Sequence, residues 1–228
     1  INHGISNRWK RNYDKLFFDC TNYYFEIDQQ DDFRRYGPCK EERHCPILGQ
    51  ALLLDADMIP LDTEFYPGNQ SERPYIRKRI EDMKSRNNVN GRVIQVADKG
   101  LNCARNIYAA VKEANDGYIF SKSVHGKCLS DKEKKWVLLN DDDINKWEEV
   151  RNNKNELLFK YKIAKSKDEE GKVYDYDEFE YKCEINPDDA KETKFTVKEK
   201  RIVTYNPSLA KKKRHEIQKE VEKLQNKL

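Results

Sequence analysis

One aromatic segment constrains the fold more than any other part of the chain. Residues 16–26, with the sequence LFFDCTNYYFE, are rich in the aromatic side chains that favour β-strands, and they predict a central strand of about ten residues. Asp19 stands in the middle of this strand. Burying an ionised carboxylate costs free energy unless it is paired or bound to a metal, so the position indicates a functional role. The alternative is an acid on the solvated face of an edge strand, because Phe18 and Asp19 point to opposite faces.

The segments that follow predict a hairpin and then alternating helices and strands. Each is recognised by apolar residues at strand or helix spacing between turn residues. The predicted order is strand 47–54, strand 59–66, helix 71–87 with Ser71 as N-cap, strand 93–98, a helix containing Ile107 and Val111, and strand 118–121. This order predicts an α/β fold, a mixed sheet with flanking helices in the ribonuclease-H-like arrangement.

The pattern changes after about residue 127. Alternating stretches such as 159–163 and 179–183 predict a strand-rich insertion, and Pro207 opens a helix whose apolar residues recur every three or four positions. The domain boundaries expected from these changes are a lead-in over 1–15, a catalytic core over 16–127, an insertion over 128–205, and the start of a C-terminal core helix over 206–228. Both ends of the chain are expected to be cut from a longer protein.

A second aspartate gives Asp19 a possible partner. Asp98 follows a short buried strand, and alone it is better explained as a turn or cap residue. If its strand lies beside the strand of Asp19, both carboxylates meet at one end of the sheet, where two like charges repel each other unless a cation is shared. Oxygen ligands suit Mg²⁺, with Mn²⁺ as a possible substitute. Paired metal ions of this kind promote phosphodiester displacement.

Charge by itself is a weak signal for nucleic acid here, because 44 Lys and Arg nearly cancel 41 Asp and Glu to leave +3. Most basic clusters are solvated faces. The basic residues that we expect to contact DNA phosphates are Lys99, Arg105, Lys122, Arg34 and Arg35.

Other functional classes find little support in the sequence. Six scattered cysteines predict reduced thiols in a cytoplasm rather than a disulfide framework, and Cys39, His44 and Cys45 lack a second ligand pair at zinc spacing. No membrane span or secretion signal is predicted. The sequence contains no glycine-rich phosphate loop and no recognisable nucleophile elbow.

Four blocks of sequence carry a family resemblance. They are FDCTNYYFE at 18–26, RRYGPCKE at 34–41, LLLD with IPL and FYPGN between 52 and 69, and VADKGLN at 96–102. In order and spacing, over roughly residues 13–125, they resemble the transposases of bacterial insertion sequences in the large family marked by a Tyr-Arg-Glu-Lys signature.

The resemblance implies a ribonuclease-H-like fold, a Mg²⁺-dependent active site and an activity. Asp19 and Asp98 are implied to be the first and second acids of an acidic triad, and the strand-rich insertion is implied to precede the helix that bears the third. Such enzymes nick double-stranded DNA at transposon ends and join the freed 3′-hydroxyl to target DNA. The resemblance also implies a homodimer on DNA and a location with the bacterial nucleoid.

The sequence departs from this family at the third acid. The expected spacing, Tyr, two residues, Arg, three residues, Glu, six residues, Lys, occurs nowhere in the chain. The third acid is therefore expected beyond residue 228, and the chain alone is expected to be inactive. One alternative is a catalytically dead or repurposed transposase relic that binds DNA. Another is a different ribonuclease-H-like nuclease that acts on RNA–DNA hybrids.

Overall fold

A computed structural model describes residues 4, 8–38, 45–124, 129–138, 146–186 and 191–225. Its contacts divide the chain into two compact units. The first comprises Ile1–Ser123 and Tyr181–Phe195, and the second comprises Val124–Glu180 and Thr196–Leu228. The expected boundaries near residues 127 and 205 remain predictions.

The first unit is built on a mixed five-stranded sheet with the strand order β3-β2-β1-β4-β5. β2 runs antiparallel to β1 and to β3, whereas β4 runs parallel to β1 and to β5. The strands are β1 (Lys15–Tyr24), β2 (Ile47–Leu54), β3 (Pro60–Pro67), β4 (Ile94–Ala97) and β5 (Gly117–Phe120). The predicted mixed sheet is therefore confirmed, and β1 is its central strand.

Two helices connect the strands of this sheet. Helix α1 (Arg73–Arg86) links β3 to β4, and helix α2 (Ala104–Tyr108), continued by a π-helical turn (Ala109–Glu113), links β4 to β5. Residue Glu72, rather than the predicted Ser71, occupies the N-cap position of α1, and Pro74 lies in its first turn, where a missing N–H costs little.

The core of this unit lies between the sheet and α1. Every second residue of β1 from Leu16 to Cys20 is buried, and these side chains pack with buried residues of α1, which recur at helical spacing. The buried α1 residues are Ile76, Ile80 and Met83. Alternation thus places Phe18 in the core and leaves Asp19 exposed on the opposite face.

Two glycines allow the loop after β1 to lie close to the sheet. A methyl group at Gly68 would lie 2.1 Å from the carbonyl oxygen of Ile47, and one at Gly37 would lie 1.9 Å from that of Gly68. The same loop is held by an isolated antiparallel bridge between Arg35 and Ile47. Glycine is therefore required at both positions by the approach of neighbouring backbone.

The second unit contains a three-stranded sheet with the order β12-β7-β6. The strands that lie wholly in this unit are β6 (Glu148–Arg151), β7 (Leu157–Ile163), β8 (Ser166–Lys167), β9 (Val173–Tyr174) and β12 (Ile202–Tyr205). Strands β10 (Asp177–Glu184) and β11 (Glu192–Glu199) form a separate two-stranded sheet, and each has residues in both units. The strand-rich character expected from the sequence is present in these residues.

Two helices also belong to the second unit, α3 (Asp131–Leu138) and α4 (Pro207–Gln225). Helix α3 was not expected from the sequence, although Ser130 and Glu133 form a capping box: the Ser130 N–H donates to Glu133 Oε2 at 2.7 Å, and the Glu133 N–H donates to Ser130 Oγ at 3.3 Å. The α4 helix begins at the predicted Pro207.

A buried lysine joins α3 to the sheet of the second unit. Lys162 is 1% exposed, and its ammonium group donates to the carbonyl oxygen of Trp136. The same ammonium lies 5.4 Å from the centre of the Trp136 ring and 5.0 Å from that of Trp147. Aromatic faces attract a cation, so these contacts offset part of the cost of burying the charge. In the ranges that the structure describes, no helix is long and apolar enough to cross a membrane.

Candidate functional site

The register between β1 and β4 brings the two predicted aspartates together. Phe18 and Ala97 are the last paired residues of these parallel strands, and Asp19 and Asp98 are the next residue of each. Neighbouring strands lie about 4.8 Å apart, so the backbones at the two aspartates are direct neighbours. Both residues are exposed, because alternation places them away from the buried side chains of Phe18 and Ala97.

Each carboxylate has one oxygen engaged by local backbone. Asp19 Oδ1 accepts a hydrogen bond from the N–H of Cys20 at 2.9 Å, and Asp98 Oδ1 accepts one from the N–H of Gly100 at 2.9 Å. Within the described residues, the Oδ2 atoms of both aspartates have no hydrogen bond and no ion pair. Each therefore offers an accessible oxygen at the same end of the sheet.

A third carboxylate, that of Glu72, lies beside Asp98, and no sequence pattern predicted it. A methyl group at Gly100 would lie 2.4 Å from Glu72 Oε1 and 3.2 Å from Asp98 Oδ1, so these two oxygens flank the same point of the backbone. The Arg73 Nε also donates to the Gly100 carbonyl oxygen at 3.4 Å. Glycine at position 100 thus allows the N-terminus of α1 to approach the turn that carries Asp98.

The donor chemistry of the aspartate pair fits a hard divalent cation. Carboxylate oxygens are the ligands that Mg²⁺ and Mn²⁺ prefer, and Mg²⁺ sites commonly use one or two carboxylates with several waters. Across the ranges that the structure describes, no group of three or more His, Cys, Asp or Glu side chains is placed to hold one metal ion. The candidate site thus consists of the two carboxylates of Asp19 and Asp98 at one end of the sheet.

Two of the predicted DNA-contacting residues lie at the same edge of the sheet as the aspartates. Lys99 directly follows Asp98 and is exposed, and Lys122 is exposed two residues after the end of β5. The turn after β4 is tied to the end of β5, since the Ser121 N–H donates to the Ala97 carbonyl oxygen at 3.1 Å. Both lysines therefore share the carboxylate edge.

The three predicted arginines are engaged in ion pairs. Arg105, in α2, pairs with Glu113 at 2.9 Å and lies over the ring of Tyr108. Arg34 pairs with Asp31 at 2.5 Å, and the Arg34 guanidinium lowers the pKa of that carboxyl to about 2.

Arg35 lies 3.7 Å from the Asp32 carboxylate, on the loop after β1. These pairs are at least partly exposed, so they constrain the arginines only weakly. A role for the three arginines at DNA remains a prediction.

The predicted absence of zinc concerns residues that are only partly described. Cys39 and His44 lie outside the described residues, and Cys45 is a partly buried free thiol. Cys20 follows Asp19, forms no disulfide, and is buried on the opposite side of the sheet, in the core.

Comparison with known proteins gives no family by sequence. No protein-family model matches the chain, and no curated protein matches it. Among solved structures, it is similar to the Mos1 transposase paired-end complex with left transposon end, with 13% identity and a TM-score of 0.33 over 50% of this chain and 37% of that chain.

Two other solved structures show a similar degree of likeness. A piggyBac transposase synaptic complex with hairpin DNA matches 71% of this chain and 32% of its own, with 9% identity and a TM-score of 0.40. The Mos1 mariner paired end complex with Mn matches 50% and 38%, with 11% identity and a TM-score of 0.31. The chain thus spans less than two fifths of the length of these transposases. Identities and TM-scores this low do not show membership of a family.

Proposed function

We propose that this chain is part of the catalytic core of a DNA transposase, with a ribonuclease-H-like sheet on which Asp19 and Asp98 hold Mg²⁺. Its reactions are Mg²⁺-dependent hydrolysis of phosphodiester bonds at transposon ends and strand transfer into target DNA. We also propose that the chain belongs to the insertion-sequence family that its four sequence blocks resemble. It then binds double-stranded DNA as a homodimer, in the bacterial cytoplasm.

The observation that supports this proposal best is the strand register at the aspartates. Asp19 and Asp98 follow adjacent positions of two parallel strands, and both are exposed. Their carboxylates repel each other, and neither side chain packs in the core to offset that repulsion. A shared cation removes that repulsion. The order β3-β2-β1-β4-β5, with only β2 reversed, agrees with the ribonuclease-H-like arrangement expected from the sequence.

The residues at this edge have separable roles in the proposal. Asp19 and Asp98 hold the cation through oxygen atoms, and the backbone N–H groups of Cys20 and Gly100 fix the orientation of the two carboxylates. Lys99, exposed beside Asp98, contacts a DNA phosphate and offsets its charge. A divalent cation bound there supplies charge stabilisation for the phosphoryl group and lowers the pKa of an attacking water.

Metal binding by this chain tests the proposal directly. Mn²⁺ is titrated into the wild-type protein, and the free ion is followed by its electron paramagnetic resonance signal. Asp19→Asn and Asp98→Asn each keep the shape of the side chain and remove its charge. Loss of a residue that only supports a metal ligand typically weakens metal binding roughly ten- to hundred-fold. Each substitution removes a ligand itself and is expected to raise the Mn²⁺ dissociation constant by at least that much.

Asp28→Asn is the matched control for this titration. Asp28 is an exposed aspartate on the loop after β1, outside the site, and its replacement is expected to leave Mn²⁺ binding unchanged. Equal binding by wild type, Asp19→Asn and Asp98→Asn would contradict the metal site. Thermal unfolding of all four proteins separates loss of a ligand from loss of the fold.

A second candidate function is a transposase relic that binds DNA without cleaving it. The observation behind this candidate is that the Tyr-Arg-Glu-Lys spacing expected around the third acid occurs nowhere in the chain. A nicking assay on double-stranded DNA in Mg²⁺, beside a binding assay with and without Mg²⁺, separates the two. Tight DNA binding that does not depend on Mg²⁺, without nicking, supports the relic. Nicking that is lost in both Asp19→Asn and Asp98→Asn supports the enzyme.

A further inference from the structure

A buried asparagine in α2 lies beside the turn that carries Asp98. Asn106 is 1% exposed, and its Nδ2 donates to the carbonyl oxygen of Leu101 at 2.8 Å. Leu101 is also buried. A buried amide side chain costs free energy unless it is hydrogen-bonded, so both of its polar ends need partners. The partner of the oxygen end comes from a different helix.

Helix α1 holds the oxygen end of this amide. Arg77 Nη1 donates to Asn106 Oδ1. The Arg77 side chain is partly buried, and burial lowers the pKa of its guanidinium. A guanidinium can only donate and a carbonyl oxygen can only accept, so the two partners fix the orientation of the amide. Asn106 therefore joins α1, α2 and the turn after β4, all of which belong to the first unit.

Leu101 transmits this contact to Asp98. The Leu101 N–H donates to the Asp98 carbonyl oxygen at 3.3 Å, and the Gly100 N–H donates to Asp98 Oδ1 at 2.9 Å. The positions of residues 100 and 101 therefore limit the directions in which the Asp98 carboxylate can point. The Leu101 carbonyl oxygen also accepts from the Cys103 N–H at 3.0 Å, so loss of the Asn106 bond should loosen the turn rather than unfold it.

The sheet supports the two aspartates differently. Asp19 lies within β1, opposite Leu52 of β2. Asp98 follows Ala97, the last residue of β4, and the pairing of β4 with both of its neighbours ends at Ala97. A turn beyond the end of a strand opens locally more easily than the strand, because fewer backbone hydrogen bonds restrain it. Asp98 therefore depends on support from outside the sheet.

We propose that Asn106 is a positioning residue for the Asp98 carboxylate. This role rests on the proposed metal site, where groups behind the ligands orient them and so strengthen metal binding. Asparagine suits the position because its amide has a donor and an acceptor. Aspartate has the same size but would turn an oxygen toward the Leu101 carbonyl oxygen, and leucine would leave the Arg77 donor without its acceptor.

Asn106→Leu tests this role, because it removes the amide with little change in volume and no change in charge. Mn²⁺ is titrated into the metal-free protein and followed by electron paramagnetic resonance, at a temperature where every variant is folded. The Mn²⁺ dissociation constant is expected to rise about ten-fold, the lower end of the effect of losing a residue that supports a metal ligand. Asn106→Ala is expected to act in the same direction, and it replaces Asn106→Leu if that variant does not fold.

Hydrogen exchange gives a second readout, which needs no metal. In Asn106→Leu, the Gly100 N–H is expected to exchange at least about five-fold faster, the factor that corresponds to one weakened hydrogen bond. Leu53, buried in β2, is the internal reference. A residue that only stabilises the fold would speed exchange at Leu53, which requires extensive unfolding, and would leave exchange at Gly100, which requires local opening, unchanged.

Asn87→Leu is the matched control. Asn87 is also an asparagine whose Nδ2 donates to a backbone carbonyl oxygen at 2.8 Å, that of Met83, but it lies at the C-terminal end of α1. Arg73, at the beginning of α1, is the residue that contacts the Gly100 carbonyl oxygen. Asn87→Leu is therefore expected to leave both the Mn²⁺ dissociation constant and the exchange of the Gly100 N–H unchanged.

Asp98→Asn, titrated alongside, separates failure of this role from failure of the metal site. If Asp98→Asn weakens Mn²⁺ binding while the folded Asn106 variants bind as wild type does, the role of Asn106 is overturned and the metal site stands. If wild type and Asp98→Asn bind Mn²⁺ equally, both are overturned. A lower melting temperature in Asn106→Leu, with Mn²⁺ binding or Gly100 exchange unchanged, shows a structural role alone and overturns the positioning role.

Discussion

The buried carboxylate of Asp116 is predicted to hold in place β4, the strand that leads to Asp98. Asp116 lies just before β5 and is 2% exposed. It accepts hydrogen bonds from Lys84 Nζ at 2.8 Å, from the Val93 N–H at 3.1 Å, and from Gln95 Nε2 at 2.9 Å. These donors belong to α1 and to the beginning of β4. The carboxylate therefore joins three elements at the end of the sheet opposite to the candidate metal site.

Replacing Asp116 with Ala should be strongly destabilising. It leaves the ammonium of Lys84, whose side chain is 16% exposed, without its counter-charge. It also leaves two buried donors unsatisfied. Breaking a buried ion pair from one side costs about 3–5 kcal/mol of unfolding free energy. For a chain of this size, each kcal/mol corresponds to about 2–4 °C, so the melting temperature should fall by roughly 6–20 °C.

Urea denaturation followed by circular dichroism measures this loss. The double variant Lys84→Met/Asp116→Leu, which replaces both charges by apolar groups, should recover only the part of the loss that the unpaired ammonium causes, because the Val93 N–H and Gln95 Nε2 remain without their acceptor. Asp28→Asn serves as the exposed control. A change of less than about 0.5 kcal/mol for Asp116→Ala, the range of ordinary surface substitutions, would show that the network does not stabilise the sheet.

Two further predictions concern the core and the loop after β1. Burial, and then the nearby Cys20 thiol, raise the pKa of Tyr66 above its usual 10.0, so the folded state retains this proton and the free energy of unfolding falls as the pH rises above about 10. Tyr66→Phe should reduce that alkaline loss, as measured by unfolding midpoints between about pH 9 and 11.5. An unchanged pH dependence would refute the assignment. Gly68→Ala should lower the free energy of unfolding by about 1–3 kcal/mol, because its methyl group would meet the backbone oxygens of Ile47 and Arg35 at 2.1 and 2.7 Å. A variant as stable as wild type in urea would contradict the close approach.

The first unit was largely predictable from local pattern. The segment 16–26 was expected to be a central strand, and β1 spans Lys15–Tyr24 in the middle of the sheet. Hydrophobic periodicity and turn residues mark such segments because they depend on neighbours in sequence. Helix α3 was not predicted, because its segment is mostly charged and has few apolar residues at helical spacing. The capping box of Ser130 and Glu133 is the signal that could have identified it.

The role of individual polar residues was less accessible. Asp116 and Asp98 are both aspartates next to strand ends, yet one is buried against Lys84 and the other is exposed beside Asp19. Glu72 gave no signal at all. Its approach to Asp98 depends on where α1 begins and on the space left by Gly100.

The sequence by itself determined the succession of strands and helices in the first unit, and it singled out Asp19 as an acid within a central strand. The burial expected for that carboxylate is wrong, because alternation leaves Asp19 exposed on the face opposite the core. Only the tertiary structure decided that β4 lies beside β1 with Phe18 opposite Ala97, which makes Asp19 and Asp98 neighbours although 78 residues of chain separate them. The reason is that periodicity reports the environment of each residue along its own segment. Strand order and register are set by the packing of distant segments against a shared core.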